Sequence, residues 1–329
     1  GGAEVVLGVL HDMFPAAPVY TTIADPVRVP AIAGWDVRAS WMDRLPGVHG
    51  RHQAFLPLYP LAWQTTRLAG YDLVVSNKSG FCHGVGTGGA AHVCYCLTPT
   101  RYVWQADDYL RGEAVPPGTR LALAALLPLL RRWERRAARR VDRFVAISSA
   151  VRERIARFYG RDSVVIFPPT ELDGCRRAAA PEDFHLVLAR LVPYKRIEVA
   201  VAAFNDLGRR LVVVGDGRDR RRLEAMAGPT IEFLGRVPEE ELPKYYAECR
   251  AFVFPQEEDF GSVAIEAMAA GLPVIGTQFN RTAAAQLFHR ARSPHQLHKR
   301  LLAAQRQLGG APLPDGRLRR GFMRVKKQR

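Results

Sequence analysis

The chain has 329 residues, 48% of them apolar, which is enough for two domains of ordinary size and excludes a disordered protein. Lys and Arg number 47 against 32 acids, a net charge of +15, so the charge points to a polyanion, an anionic surface or a phosphorylated substrate. Five Cys with no Cys-x-x-Cys pair argue against a disulfide framework or a zinc site, leaving a reducing cytosol as the simplest compartment. No charged-then-apolar leader opens the sequence, and no apolar run reaches the roughly 20 residues that cross a bilayer.

Residues 19–23, 72–76, 92–97 and 143–147 read as short strands separated by helical stretches. His83 falls between the first two and the last two, in the loop Gly80-Phe81-Cys82-His83-Gly84-Val85, where a solvated side chain is expected. Cys94 and Cys96 flank Tyr95 in an apolar run and read as small hydrophobes alternating across the faces of a strand. Further on, helical spacing puts Arg131, Arg132, Arg135, Arg136, Arg139 and Arg140 on one half of a helix and Trp133, Ala137 and Val141 on the other. Just upstream, apolar residues 121–130 are interrupted by Pro128. An apolar stripe beside a basic one fits an interfacial helix on anionic lipid headgroups and, equally, a solvated Arg face on a core-packed helix.

The pattern changes near Pro168-Pro169. Beyond it come a strand at 185–189, helix 197–207, strand 211–214, helix 220–227, strand 231–233, helix 239–248, strand 251–254, helix 262–270 and strand 273–275. Strands alternating with helices imply parallel sheets covered on both faces. The expected fold class is α/β, with two Rossmann-like parallel-sheet domains facing a cleft. The first would span 1–169, a linker 170–183, and the second 184–329 with an atypical tail.

The most informative run is Glu257-Glu258-Asp259-Phe260-Gly261-Ser262-Val263-Ala264-Ile265-Glu266. It places two acids at a fixed spacing around a helix that opens at Gly261, on the edge of a parallel sheet where ligands bind. Free N–H groups at a helix mouth suit a diphosphate, and a carboxylate suits ribose hydroxyls. Arg190 at a strand end and Lys195 at the next helix start could converge on the same mouth. Val214-Gly215-Asp216-Gly217 also follows a strand, but Arg220 stands where a dinucleotide fingerprint needs its third Gly, so a tight turn is expected there rather than an oxidoreductase site. Gly235, in Phe233-Leu234-Gly235, is another turn at that edge. Nucleic-acid binding ranks lower, because neither a recognition helix nor an aromatic-interleaved basic sheet is visible.

Arg190 with Lys195, Gly215-Asp216-Gly217, Phe233-Leu234-Gly235 and the Glu258/Glu266 motif, in this order, resemble the retaining GT-B glycosyltransferases of family 4. In the first half, Gly1-Gly2-Ala3-Glu4, Tyr71-Asp72-Leu73-Val74-Val75-Ser76, Tyr95-Cys96-Leu97-Thr98-Pro99-Thr100-Arg101-Tyr102-Val103-Trp104 and Arg140-Val141-Asp142-Arg143-Phe144-Val145-Ala146-Ile147-Ser148 resemble a bacterial subgroup that builds cell-surface polysaccharides, as does Tyr159-Gly160-Arg161-Asp162. The resemblance implies hexosyl transfer, mannose from GDP-mannose favoured, to a polyprenyl-diphosphate-linked or saccharide acceptor at the cytoplasmic face of an anionic membrane. It requires no cofactor beyond the sugar-nucleotide substrate and no metal. It further implies that Arg190 and Lys195 hold the donor diphosphate, that Glu266 bonds the ribose, and that Glu258 lies by the transferred sugar. Phe260, Gly261 and Ser262 would present backbone N–H groups, Gly235 would line the same edge, and Gly2 would face the diphosphate from the other domain. No protein nucleophile is implied.

The sequence departs from this pattern in three places. Leu97 stands where His or Tyr is usual before Thr-Pro. The first strand of the N-terminal sheet, expected ahead of Gly1, is missing. After Ile275-Gly276, Thr277-Gln278-Phe279-Asn280-Arg281 replaces a Gly-Gly loop and a further acid. These losses keep open a non-catalytic reading, a nucleotide-sugar or polyanion-binding remnant of the fold.

Overall fold

A computed structural model describes residues 2–27, 29–107, 117–170, 181–256 and 258–276. Residues 171–180 of the 170–183 linker, and the altered segment after Gly276 together with the tail, lie outside the described residues. The chain divides into two compact units that change over between Pro169 and Thr170.

In the first unit, helix α1 (Gly2–Met13) precedes a parallel pair of three-residue strands, β1 (Val19–Thr21) and β2 (Val37–Ala39). Short helices α2 (Val48–Arg51) and α3 (Tyr59–Thr65) lead into a second sheet. Its strands β3 (Leu73–Lys78), β4 (Ala91–Cys96), β5 (Arg143–Ala146) and β6 (Ser163–Val165) lie in that order, all parallel. Helices α4 (Arg101–Trp104) and α5 (Pro117–Ala138) follow β4, and α6 (Ser149–Tyr159) follows β5. The Ser148 hydroxyl caps α6 by accepting from the Val151 N–H at 3.2 Å, and Gly160 ends it at φ 64°. Among the described residues no strand joins β1–β2 to β3. The pair is tied there by a hydrogen bond between the Tyr20 and Tyr71 hydroxyls at 3.0 Å.

The alternation expected of Cys94 and Cys96 is corrected by strand geometry. Residues two apart on a strand share a face, so both thiols lie together and Tyr95 takes the opposite side, donating its O–H to the Ile166 carbonyl at 3.0 Å. Strands β2 and β6 were not anticipated. Each has three residues with an exposed position and pairs along one edge, too short a run to show a period.

The second unit follows the expected alternation: β7 (His185–Leu188), α7 (Ile197–Leu207), β8 (Leu211–Val214), α8 (Arg220–Met226), β9 (Ile231–Gly235), α9 (Leu242–Glu248), β10 (Ala251–Phe254), α10 (Ser262–Ala269) and β11 (Val274–Gly276). The strand order is β11-β10-β7-β8-β9, all parallel. Every residue of β8 and β10 is buried, as a sheet covered on both faces demands. Val187, Leu211, Val213 and Val253 of the sheet pack against Ile197, Val201 and Phe204 of α7. The chain leaves β7 toward β8 and β9, then returns to β10 on the other side of β7. The sheet therefore reverses direction between β7 and β10, and a crevice opens there at the carboxyl ends of these strands.

Candidate functional site

Two loops flank that reversal point, residues 189–196 after β7 and, after β10, residues 255–256 and 258–261. The structure joins them through an ion pair between Lys195 Nζ and Glu258 Oε1, both side chains mostly shielded, with 14% and 23% exposure. Lys195 sits at the end of a one-turn 3₁₀ segment, Pro193–Lys195, and Arg196 after it takes a left-handed φ of 56°. Strain of this kind in a non-glycine residue persists where the surrounding structure fixes the loop. Tyr194 lies between the two cations. Its hydroxyl accepts a long bond from Arg190 Nη2 at 3.5 Å, and Lys195 Nζ stands 5.5 Å from its ring centroid. Arg190 itself is exposed and does not contact Lys195 or Glu258.

On the β10 side, Gly261 is the N-cap of α10 at φ 82° and ψ 52°, a conformation that suits glycine. Its carbonyl accepts from the N–H groups of Ala264 and Ile265 at 3.1 and 3.2 Å. The N–H groups of Ser262 and Val263, one turn earlier, have no intrahelical acceptor and form the mouth of the helix. Phe260 is buried behind this turn with 6% exposure. Glu266 is one turn further along α10, where its Oε2 accepts from the buried Tyr246 hydroxyl of α9 at 3.0 Å.

The Gly215-Asp216-Gly217 turn belongs to the same edge, and its glycines have a steric purpose. A Cβ on Gly215 would stand 1.9 Å from the Ala189 carbonyl oxygen, and one on Gly217 would stand 2.1 Å from that of Leu191. The turn thus presses against the backbone on both sides of Arg190, and the Leu191 N–H donates to the Asp216 carbonyl at 3.0 Å. Gly235 ends β9 at φ 77°, where a Cβ would lie 2.8 Å from Arg220 Nη1. Arg220 therefore stands at this edge too, salt-bridged to Glu224 at 2.6 Å. Gly2 opens α1 in the first unit, and among the described residues no atom beyond its chain neighbours and its own helix backbone lies within 4 Å of a Cβ built there.

The first unit holds a buried polar cluster that sequence reading missed. Lys78 and Glu134 both have side chains with 0% exposure and stand 3.7 Å apart. Lys78 Nζ donates to the Gly80 carbonyl at 2.8 Å and the Thr100 hydroxyl at 3.1 Å. Glu134 accepts from Thr100, from the Trp104 indole and, at 2.8 Å, from the Tyr159 hydroxyl. Burial alone would lower the Lys78 pKa, but Glu134 and the neighbouring thiols more than reverse that and hold the ammonium charged. His83 is not solvated as expected. It is wholly buried, stacked on Tyr159 with centroids 5.7 Å apart and edge-on to Trp133, and burial pushes its pKa well down. Gly84 makes room for this packing, since a Cβ there would meet the Trp133 ring at 2.1 Å. The signal in the sequence was Glu134, a lone acid on the apolar side of an Arg-rich helix.

Among the described residues no helix is long and apolar enough to cross a membrane.

Comparison with known proteins follows the same division. Residues 1–173 match the model of Glycosyltransferase Family 4, and residues 176–290 that of Glycosyl transferases group 1. A GDP-mannose-dependent alpha-mannosyltransferase of Mycolicibacterium smegmatis is 33% identical over 205 residues, 58% of this chain and 52% of that protein. A GDP-mannose-dependent alpha-(1-6)-phosphatidylinositol monomannoside mannosyltransferase of Mycobacterium tuberculosis is 30% identical over 183 residues, 46% of this chain and 48% of that protein. The chain thus spans about half the length of these curated relatives. Among solved structures, Anabaena HepE in complex with UDP and glucose superposes with a TM-score of 0.61 at 19% identity, covering 87% of this chain and 79% of that one. Sucrose-phosphate synthase from Thermosynechococcus elongatus gives 0.56 at 22% identity, covering 89% and 87%. With the family model spanning the first 173 residues and the parallel-sheet α/β architecture matching these enzymes, the chain belongs to glycosyltransferase family 4 and has the GT-B fold class.

Proposed function

We propose that the protein transfers a hexose, mannose favoured, from a nucleoside-diphosphate sugar, GDP-mannose favoured, to a lipid-linked or saccharide acceptor in polysaccharide biosynthesis, with retention at the anomeric carbon. The observation that carries this reading is the Lys195–Glu258 pair bridging the reversal point of the second sheet beside the open mouth of α10. A departing nucleoside diphosphate gathers negative charge, and preorganised cations and N–H dipoles in a shielded crevice stabilise that charge where it develops. Lys195, with Arg190 on the same loop and the N–H groups of Ser262 and Val263 opposite, supplies this stabilisation. With no donor bound, Glu258 is the counterion of Lys195. The entering diphosphate takes over part of that pairing and leaves the Glu258 carboxylate beside the sugar. Glu266, fixed by Tyr246, accepts from the ribose hydroxyls. Positive side chains do the charge neutralisation, so the scheme names no metal, and it assigns no protein nucleophile. The mannosyltransferases matched above support the choice of mannose and GDP. The basic face of α5 supports work at the cytoplasmic face of an anionic membrane.

The test is turnover of radiolabelled GDP-mannose, with UDP-glucose alongside, in the presence of lipid-linked acceptors. Lys195→Ala should cut turnover by roughly 10²–10³, and Glu266→Ala should mainly raise the donor KM. Donor binding without turnover in the parent would favour the non-catalytic remnant instead.

A further inference from the structure

In the first unit, Arg131, Arg132, Arg135 and Arg136 of α5 and Arg139 just past its end line a groove of about 630 Å³, with Trp104 as its floor. This volume falls within the roughly 300–1,000 Å³ of small-molecule pockets. The floor is rigid. The Trp104 indole N–H is held from behind by buried Glu134, and its ring stacks on Phe158 with centroids 4.9 Å apart and planes 13° off parallel. Two of the arginines are built into that floor. Arg131 lies 5.8 Å and Arg135 5.0 Å from the Trp104 ring centroid. Arg131 Nε donates to the Val103 carbonyl at 2.9 Å, and Arg135 Nε to the Phe158 carbonyl at 3.1 Å.

None of the five arginines has a carboxylate partner among the described residues; the one acid within this stretch of α5, Glu134, faces the core and is matched there by Lys78. Arg131, Arg135 and Arg139, like Arg132 and Arg136, stand four residues apart, a spacing at which like charges on a helix repel. Arg140, beyond the end of the helix, donates to the Gly84 carbonyl at 3.0 Å, which corrects its expected place on the basic face. Five uncompensated guanidinia also exceed the charge of about −2 on a single phosphate monoester. Leu121 and Leu129 of the same helix are 74% and 65% exposed, so apolar surface adjoins the cationic groove.

We propose that this groove binds the diphosphate headgroup of a membrane lipid, the guanidinia of Arg131 and Arg135 gripping it as preoriented forks and Arg132, Arg136 and Arg139 closing around it. The exposed leucines meet the lipid side. The site deepens the lipid-linked acceptor part of the proposed function and is independent of its donor crevice, so loss of sugar turnover leaves the following measurement intact.

The test is co-sedimentation with phosphatidylcholine vesicles carrying a prenyl diphosphate, compared with vesicles of equal surface charge carrying phosphatidylserine, and calorimetry with inorganic pyrophosphate. The proteins are the parent, R131Q/R135Q, R132Q/R136Q, and R143Q/R152Q as a control that removes the same charge from elsewhere in the unit. Arg132 and Arg136 are exposed and their side chains make no hydrogen bond among the described residues, so their replacement tests binding without disturbing the floor. Lys195 is unchanged throughout, so phosphate held in the β7–β10 crevice stays constant across the series. The parent should prefer diphosphate vesicles, and both groove variants should bind them at least about tenfold more weakly, with the control within twofold of the parent. Equal recruitment to both vesicle types, an equal loss in the control, or pyrophosphate binding without vesicle recruitment would each overturn the assignment.

Discussion

At the scale of single residues, the crevice is organised by pairs rather than by isolated charges. Lys195 has Glu258 and Glu266 has Tyr246, and the two pairings make different predictions. Tyr246→Phe removes one charge-assisted hydrogen bond from the carboxylate proposed to bind the ribose. It should raise the donor KM several-fold, leave kcat within about twofold and lower stability by about 1–2 kcal/mol. An equal fall in kcat would place Glu266 in the chemical step. His92 offers a pH test outside the crevice. Burial lowers its pKa to about 4, with the nearby Asp142 opposing, and its ring nitrogen bonds the Ser76 hydroxyl at 3.0 Å. The unfolded chain therefore binds a proton below pH 6.5 that the folded protein refuses, and stability falls as pH drops from 6.5 toward 4. The gap corresponds to roughly 3 kcal/mol. His92→Gln should flatten that part of the acid-unfolding curve, whereas an unchanged slope would move the effect to other groups such as His83.

At the scale of elements, the second unit was legible because β8 and β10 are buried runs rich in β-branched and aromatic residues, and β7 is a short apolar run, each set off by turns. The order of Arg190, Lys195, Gly261 and Glu266 along the chain located the crevice loops. What the order of residues could not reveal was which side chains would meet. The direct bond between Lys195 and Glu258 spans 63 positions, and Tyr246 approaches Glu266 from a different helix. The glycines of the β8 turn read only as a tight turn, yet their role is to let one backbone press on another. Gly215→Ala should cost about 1–3 kcal/mol, because its φ of 129° and the Ala189 carbonyl both oppose a side chain. It should also weaken donor binding by shifting the Arg190 loop. In α5 the error was larger. A helical wheel separates basic from apolar residues but does not show that Glu134 would be sealed inside against Lys78. Glu134→Gln should destabilise the protein by about 3–5 kcal/mol by leaving a buried ammonium unmatched. A joint Lys78→Met, Glu134→Met replacement should be markedly milder, and a loss as large as the single variant's would mean that packing, not charge, is what Glu134 provides.

At the scale of the whole molecule, the two units carry separate candidate sites. The second presents a parallel sheet whose reversal point gathers cations, acids and a helix mouth. The first holds a charged cluster sealed behind an arginine-lined groove. Its strands form two sheets that no described strand connects. The central claim, that the β7–β10 crevice receives a nucleoside-diphosphate sugar, is tested most directly by calorimetric titration of the parent, Lys195→Ala and Glu266→Ala with GDP-mannose, UDP-glucose and ADP-glucose. The account predicts that the parent binds GDP-mannose in preference to the other two and that each variant weakens this binding at least tenfold. Failure of the parent to bind any of the three, or equal affinity in all three proteins, would contradict it.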